Sequence, residues 1–140
     1  MNRKRRMHIL IDGSRDLSKK MARQIEESHS VEVLMEPQEA LTMIKMRETA
    51  QKSLFYLGEV LVTECKVSVN HQVGMGIVVG IEPDLAYYLA VIDAAFEAQC
   101  GEVDGWLPLL AAEEQRIAAE KNVKASAIHK TKVSFETMDV

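Results

Sequence analysis

Among residues that could do chemistry, the stretch Gly74-Met75-Gly76-Ile77-Val78-Val79-Gly80 comes nearest to a phosphate cradle. Such a cradle needs a turn that aims backbone N–H groups at the anion, followed by a helix opening with Lys-Ser or Lys-Thr. Here the filling is Ile-Val-Val, which is strand-like, and no Lys-Ser/Thr follows, so only the glycine count agrees. The histidines, His8, His29, His71 and His129, are scattered, and none has a second ligand at a metal-binding spacing. Cys65 and Cys100 form no ligand-like pair and read as reduced thiols. No nucleophile-elbow pattern surrounds a serine. Glu59 and Glu64 are the closest approach to an acid/base pair, but their odd and even positions send them to opposite faces of a strand unless Gly58 starts a bulge. The residues alone assemble no active site: they identify no catalytic residue, no metal ligand and no cofactor-binding residue.

Charge is the next possible source of function. Residues 1–24 hold eight Lys or Arg against two Asp, while the whole chain has a formal charge of −4, so the remainder is strongly acidic. A basic arm of this kind can bind nucleic acid. Aromatic residues are only 5% of the chain, however, and none is interleaved with Arg3, Lys4, Arg5 and Arg6 to stack bases. Nucleic acid is therefore the weaker reading. Arg3, Arg5 and Arg6 are candidates for contact with an anion, on a helix face that meets an acidic partner or a phosphate-rich substrate. The plain alternative is a solvated charge run with no specific role.

These residues have to be positioned by elements, and the longest strand-like run is Leu54 to Gly80. From Leu61, apolar residues alternate with Glu64, Lys66, Ser68 and Asn70, the period of a strand with one buried face. Asn70-His71-Gln72 suits a turn, after which Val73, Met75, Ile77 and Val79 share one face and Gly74, Gly76 and Gly80 the other, which predicts a hairpin. Glycines on alternate positions of one face imply that something approaches closely. It is either a helix of the same chain or a partner or ligand, and the pattern alone leaves both open. Upstream, the spacing predicts a helical region over 1–28, with Met7 and Leu10 or Ile11 on one side of a first helix and Leu17, Met21 and Ile25 on a second that is capped by Ser14. A strand over Val31–Met35, a turn at Pro37-Gln38-Glu39 and a strand over Ala40–Arg47 follow, so strands occupy 31–80.

Downstream, residues 83–122 are expected to be two helices. Pro83 opens the first, Leu85, Tyr88, Leu89, Ile92 and Phe96 stripe it, and Gly101 closes it as a left-handed cap. Ala86, Ala90 and Asp93 form a small-residue flank that could dock, with Asp93 more a structural acid than a catalyst. The second helix is expected from Pro108 to Asn122, and Lys124 to Lys132 as a basic connector. The tail 130–140 alternates Val133, Phe135 and Thr137 with polar residues, an extended strand or arm suited to a sheet edge. With 140 residues, 47% hydrophobic and 27% charged, this predicts one α+β domain over 1–140, an antiparallel, meander-like sheet of two hairpins with flanking helices. The apolar run Met7 to Ile11 is too short for an export signal and no stretch can span a bilayer, so a cytoplasmic location is expected.

The order of four pieces carries a further signal. Phe55-Tyr56-Leu57-Gly58-Glu59-Val60-Leu61-Val62-Thr63-Glu64-Cys65-Lys66-Val67 comes first, then Gly74-Met75-Gly76 with Gly80. The helix holding Ala90-Val91-Ile92-Asp93-Ala94 follows, and Lys132-Val133-Ser134-Phe135-Glu136-Thr137-Met138 ends the series. This order, with Arg6, Met7 and Leu10 at the start, resembles PhnG, the G subunit of the carbon–phosphorus lyase core complex. The resemblance implies a role in phosphonate use, within a multi-subunit transferase complex and without independent activity. With PhnH, PhnI and PhnL types, and most directly the I subunit, such a chain supports displacement of adenine from ATP by a phosphonate, giving a ribose 1-phosphonate 5-triphosphate. It implies no cofactor in this chain: ATP and phosphonate are substrates of the complex, and the iron–sulfur cluster and S-adenosylmethionine belong to the radical subunit, PhnJ. It carries no catalytic residue over. The faces that want a partner are expected at Gly58, Glu59, Thr63, Gly74, Gly76, Gly80, Asp93, Val133, Phe135 and Thr137. The charged start, unusual for the family, leaves a stand-alone anion- or nucleic-acid-binding module as the alternative.

Overall fold

In the computed structural model the backbone is described for residues 1–47 and 54–138, and side-chain surroundings for 1–43 and 58–124. Two helices open the chain. α1 spans Arg3–Asp12, where the Asn2 side chain accepts from the Arg5 N–H, and it turns Arg6, Ile9 and Leu10 inward. α2 spans Arg15–Ser28, with the Ser14 hydroxyl accepting from the Asp16 N–H, and it buries Ser18, Met21, Ala22 and Ile25. Gly13 separates them, its N–H bonded to the Ile9 carbonyl at 2.8 Å.

The sheet is a three-stranded antiparallel meander in the order β1-β2-β3, with β1 Val31–Arg47, β2 Leu54–Val69 and β3 Gln72–Val79. The β2–β3 connection is a two-residue turn in which Asn70 (φ 49°) and His71 (φ 66°) both take left-handed backbone, with Val69 opposite Gln72. Paired left-handed residues give a turn whose twist matches its strands, and asparagine tolerates that conformation better than most residues. The expected break at Pro37-Gln38-Glu39 is absent. β1 continues through it as one strand, with register shifts between Val33 and Met35 and between Met35 and Gln38. Proline cannot donate to a ladder, but on an edge strand at a bulge no donor is lost, so Pro37 bends β1 without ending it. β3 faces only Val62–Val69. Beyond it, the pairing from Leu41↔Leu61 to Arg47↔Leu54 continues as a two-stranded ribbon.

α3, Pro83–Glu97, is the hub of the core. It buries Leu85, Ala86, Leu89, Ala90, Val91, Ile92, Asp93, Ala94 and Ala95, because the sheet covers one side and α1 and α2 the other. α4 spans Glu102–Met138. It begins before Pro108, which lies within its second turn, and it continues through the expected connector and tail. The segment 130–138 is therefore helical rather than an extended strand. A growing helix adds a hydrogen bond for each residue it fixes, and that outweighs the weak alternation of the tail. The left-handed residue between the helices is Gln99 (φ 54°), not Gly101, because α3 stops two residues earlier than a left-handed Gly101 requires. Trp106, Leu110 and Ile117 anchor α4, with the Trp106 Nε1–H donating to Gln24 Oε1 at 2.6 Å and its ring 5.9 Å from that of Phe96.

Candidate functional site

The glycine face of β3 lies against α3. A Cβ on Gly74 would overlap the Ala90 carbonyl oxygen and the Ala94 amide nitrogen and sit 2.7 Å from the Ala94 Cα. One on Gly76 would strike the Ala86 carbonyl oxygen and come within 2.8 Å of the Ala90 nitrogen. Ala86, Ala90 and Ala94 recur every four residues, so a ridge of small residues seats the helix backbone directly on the strand. Of the two readings the sequence left open, the internal contact holds at these positions. Gly74 and Gly76 are occupied by the chain's own helix and offer nothing to a partner.

Asp93 is fully buried at the centre of that contact. Its carboxylate accepts from Arg3 Nε at 2.9 Å and Arg3 Nη2 at 2.5 Å, from Arg6 Nη2 at 3.2 Å and from the Met75 N–H at 3.0 Å. One acid therefore ties α1, α3 and β3 together. The Arg6 guanidinium also stacks 4.0 Å over the Phe96 ring. Arg5 forks onto Glu114 of α4 at 2.7 and 2.6 Å. Hydrogen bonding to Asp93, reinforced by its charge, raises the Arg3 pKa, and the Arg5 hydrogen bond lowers that of Glu114. The basic start is thus bound to acids of the same chain: Arg3, Arg5 and Arg6 hold α1 in place, and Asp93 lies inside instead of on a docking face. These pairs are separated by 90 and 109 residues, so nothing local in the sequence signals them.

The other expected site residues are dispersed. Thr63 is buried; its hydroxyl donates to the Gly80 carbonyl at 2.6 Å and accepts from the Glu82 N–H at 3.0 Å, locking the link from β3 to α3. Gly80 needs its φ of 94° for that turn, and a side chain there would meet nothing within 4 Å. Gly58 marks a register shift, with Ile44 opposite Gly58 and Lys45 opposite Tyr56, so the bulge is present. It precedes Glu59, however, and leaves Glu59 and Glu64 on opposite faces. Val133, Phe135 and Thr137 lie on the last turns of α4, and their side chains are outside the described residues.

What stays open is of a different kind. Leu41 and Met43 on the ribbon are 65% and 56% exposed, and Val73, Ile77 and Val79 line the outer face of β3. On α4, every residue from Ala118 to Lys124 is exposed, and Lys121 reaches back to Asp12 of α1 at 3.3 Å. Sequence alternation pointed to these strands, but not to which of their faces would remain bare. At the opposite end of β2 from the ribbon, His29, Cys100 and Glu102 converge, with His29 Nε2 3.1 Å from Glu102 Oε2. The pKa of the Cys100 thiol is raised, by burial first and by the Glu102 charge second. That of Cys65 is pushed up to about 11 by burial and, less, by the charge of Glu36. A shallow depression of about 400 Å³ along α2 is of mixed charge, lined by Lys19, Lys20 and Arg23 but also by Asp16 and Glu27. Among the described residues no helix is long and apolar enough to cross a membrane.

Among the described residues, apolar side chains on β1 and β3 are left bare. The family model described as "Phosphonate metabolism protein PhnG" matches residues 1–139. The chain belongs to the PhnG family. No curated protein matches it. PhnG membership makes the chain a phosphonate-metabolism protein, a subunit of the multi-subunit carbon–phosphorus lyase complex.

Proposed function

We propose that this PhnG-family chain is a supporting subunit of the transferase assembly in which a phosphonate displaces adenine from ATP, giving α-D-ribose 1-methylphosphonate 5-triphosphate or its analogues. It supplies surface and no reacting group. Its nearest neighbour is a PhnI-type subunit, with PhnH, PhnJ and PhnL types in the same cytoplasmic assembly, and the iron–sulfur and S-adenosylmethionine chemistry resides on the radical subunit. The observation that carries this reading is the ribbon beyond β3, with Leu41 and Met43 exposed on a two-stranded extension that no third strand covers among the described residues. An isolated two-stranded ribbon is marginal in water, and apolar residues on it favour pairing with another surface. Gly58 and Glu59 lie on the same ribbon and belong to the proposed contact.

The test is co-purification with a PhnI-type subunit. Leu41→Asp with Met43→Asp should leave the far-ultraviolet circular dichroism of the chain unchanged and reduce co-elution at least about tenfold, since a charge buried at a docking centre costs more than 1.4 kcal/mol. Normal co-elution of the double variant would remove the ribbon from the interface. ATP turnover by the purified chain alone should be undetectable, and turnover that survives rigorous purification would overturn the supporting role. The nucleic-acid reading loses ground because Arg3, Arg5 and Arg6 are engaged internally and the α2 depression mixes both signs of charge.

A further inference from the structure

The far end of the domain from the ribbon holds a group of side chains that the supporting role does not use. His29 ends α2, Cys100 and Glu102 lie at the junction of α3 and α4, and one ligand atom of each falls within 4.8 Å of the others. Cys100 is 6% exposed and His29 and Glu102 are half-buried, so the group is walled by protein and open on one side. Two separate places supply it, the end of α2 and the α3–α4 junction, and the backbone of each is held by its own hydrogen bond. The Ile25 carbonyl bonds the His29 N–H at 2.8 Å, the Ala95 carbonyl bonds the Cys100 N–H at 3.1 Å, and left-handed Gln99 redirects the chain between α3 and Cys100. Asn70, at the tip of the β2–β3 turn, closes the group, with Nδ2 3.3 Å from His29 Nδ1 and 3.8 Å from Cys100 Sγ.

From this convergence we propose that His29, Cys100 and Glu102 form a binding site for one zinc ion, with water in the fourth position. The donor set selects the metal: one sulfur, one imidazole nitrogen and one carboxylate suit zinc, whereas magnesium and calcium call for oxygen ligands throughout. Charge also closes. Binding releases the Cys100 thiol proton to solvent, and the thiolate, the Glu102 carboxylate and a neutral His29 ring leave the site with no net charge, as a half-buried position requires. In a tetrahedral zinc site the ligand atoms lie about 3.5 Å apart, so side chains now within 4.8 Å close by roughly 1 Å, within the reach of χ rotations at His29 and Glu102. The metal takes His29 Nε2 in place of the present hydrogen bond to Glu102. The ring proton then sits on Nδ1, and rotation of the Asn70 amide presents its oxygen to accept it, the usual second partner of a metal-bound histidine. An ion here joins the end of α2 to the α3–α4 junction, two places linked in sequence only through the whole sheet.

The full-length chain, reduced and stripped with chelator, is titrated with zinc against a chromophoric competitor and separately with cobalt(II), read by its visible and near-ultraviolet absorption. One equivalent should bind below ~1 μM, and the cobalt form should show intense tetrahedral bands with a thiolate charge-transfer band. Cys100→Ser should abolish the charge-transfer band, and His29→Ala and Glu102→Gln should each weaken zinc at least about tenfold. Cys65→Ala, at the only other cysteine, should leave stoichiometry and spectrum unchanged. Zinc should raise Tm by several degrees in the parent chain and not in His29→Ala. Binding weaker than ~10 μM, a charge-transfer band that persists in Cys100→Ser, or His29→Ala and Glu102→Gln both binding like the parent would each overturn the proposal. His29 and Glu102 are half-exposed, so their variants decide the matter even if Cys100→Ser fails to fold.

Discussion

Asp93 shows how one residue can look functional and be structural. A lone acid on an alanine-rich helix flank resembles a docking or catalytic group, yet here it receives two guanidinium groups and a backbone N–H in a site closed to water. Asp93→Asn keeps the shape but leaves Arg6, 6% exposed, without a counter-charge. It should cost about 3 kcal/mol or more in urea denaturation, whereas Arg3→Ala, whose side chain is 57% exposed, should cost about 1 kcal/mol or less. A loss for Asp93→Asn no larger than that for Arg3→Ala would show that the pair contributes little. Cys65 yields a prediction of opposite kind. Its pKa rises from 9.0 in the unfolded chain to about 11 in the fold, so below pH 9 both states keep the proton. Between pH 9 and 11 only the unfolded chain loses it, and stability must fall as pH rises through that window. Tyr87, pushed up from 10.0 to about 12 by burial and then by its hydrogen bond to Glu26, extends the decline upward. Cys65→Ala should flatten the start of this alkaline limb in thermal melts taken across pH 8 to 11; an unaltered slope would reject the assignment.

At the level of elements, the sequence spoke where period and punctuation agreed. The α2 spacing, the Asn70-His71 turn, Pro83 at the start of α3 and the two-faced pattern of β3 were legible because each rests on local geometry. Glycine alternation also announced the close approach, though not whether helix or partner made it. Pro37 misled because its effect depends on whether its strand is an edge, which is a fact about the whole sheet. Pro108 misled as well: it stands in the second turn of α4 and not at its start, and the helix runs through it at the cost of the bond its nitrogen would have made to the Asp104 carbonyl. The α3–β3 contact gives the sharpest test at this scale. Gly76→Ala forces a methyl into the backbone of Ala86 and Ala90 and should cost about 3 kcal/mol, and a larger residue such as leucine should prevent folding instead of merely weakening assembly. Gly105→Ala, on α4 with nothing within 4 Å of the added methyl, should instead gain about 0.5–1 kcal/mol. Equal effects of the two substitutions in chemical denaturation would contradict the tight seating of α3.

For the whole molecule, the ion pairs of Arg3, Arg5 and Arg6 and the His29 cluster were the least legible features, since they join residues about 70 to 110 positions apart and one sequence records no pairing between them. The architecture divides into a body and two projections. Among the described residues, everything that buries α3 lies before Ala118, whereas α4 runs on through two exposed turns to Lys124. A chain ended after Lys124 should therefore keep its Tm within about 2 °C and its Trp106 fluorescence, because no core contact among the described residues lies beyond Ile117. The same truncation should weaken co-purification if the helical arm bearing Val133 and Phe135 docks, and full co-elution would confine docking to the ribbon. A collapsed Tm would mean that the arm folds back onto the body.

The bare flank of β1 also sets a condition on synthesis. A seventeen-residue rim strand with exposed Leu34, Leu41 and Met43 can meet another copy of itself as readily as the acceptor proposed above. Copies made in surplus will cluster or be degraded, so the yield of finished assembly follows whichever chain is scarcest, and translation alongside the acceptor is the simplest way to keep newly made copies in solution.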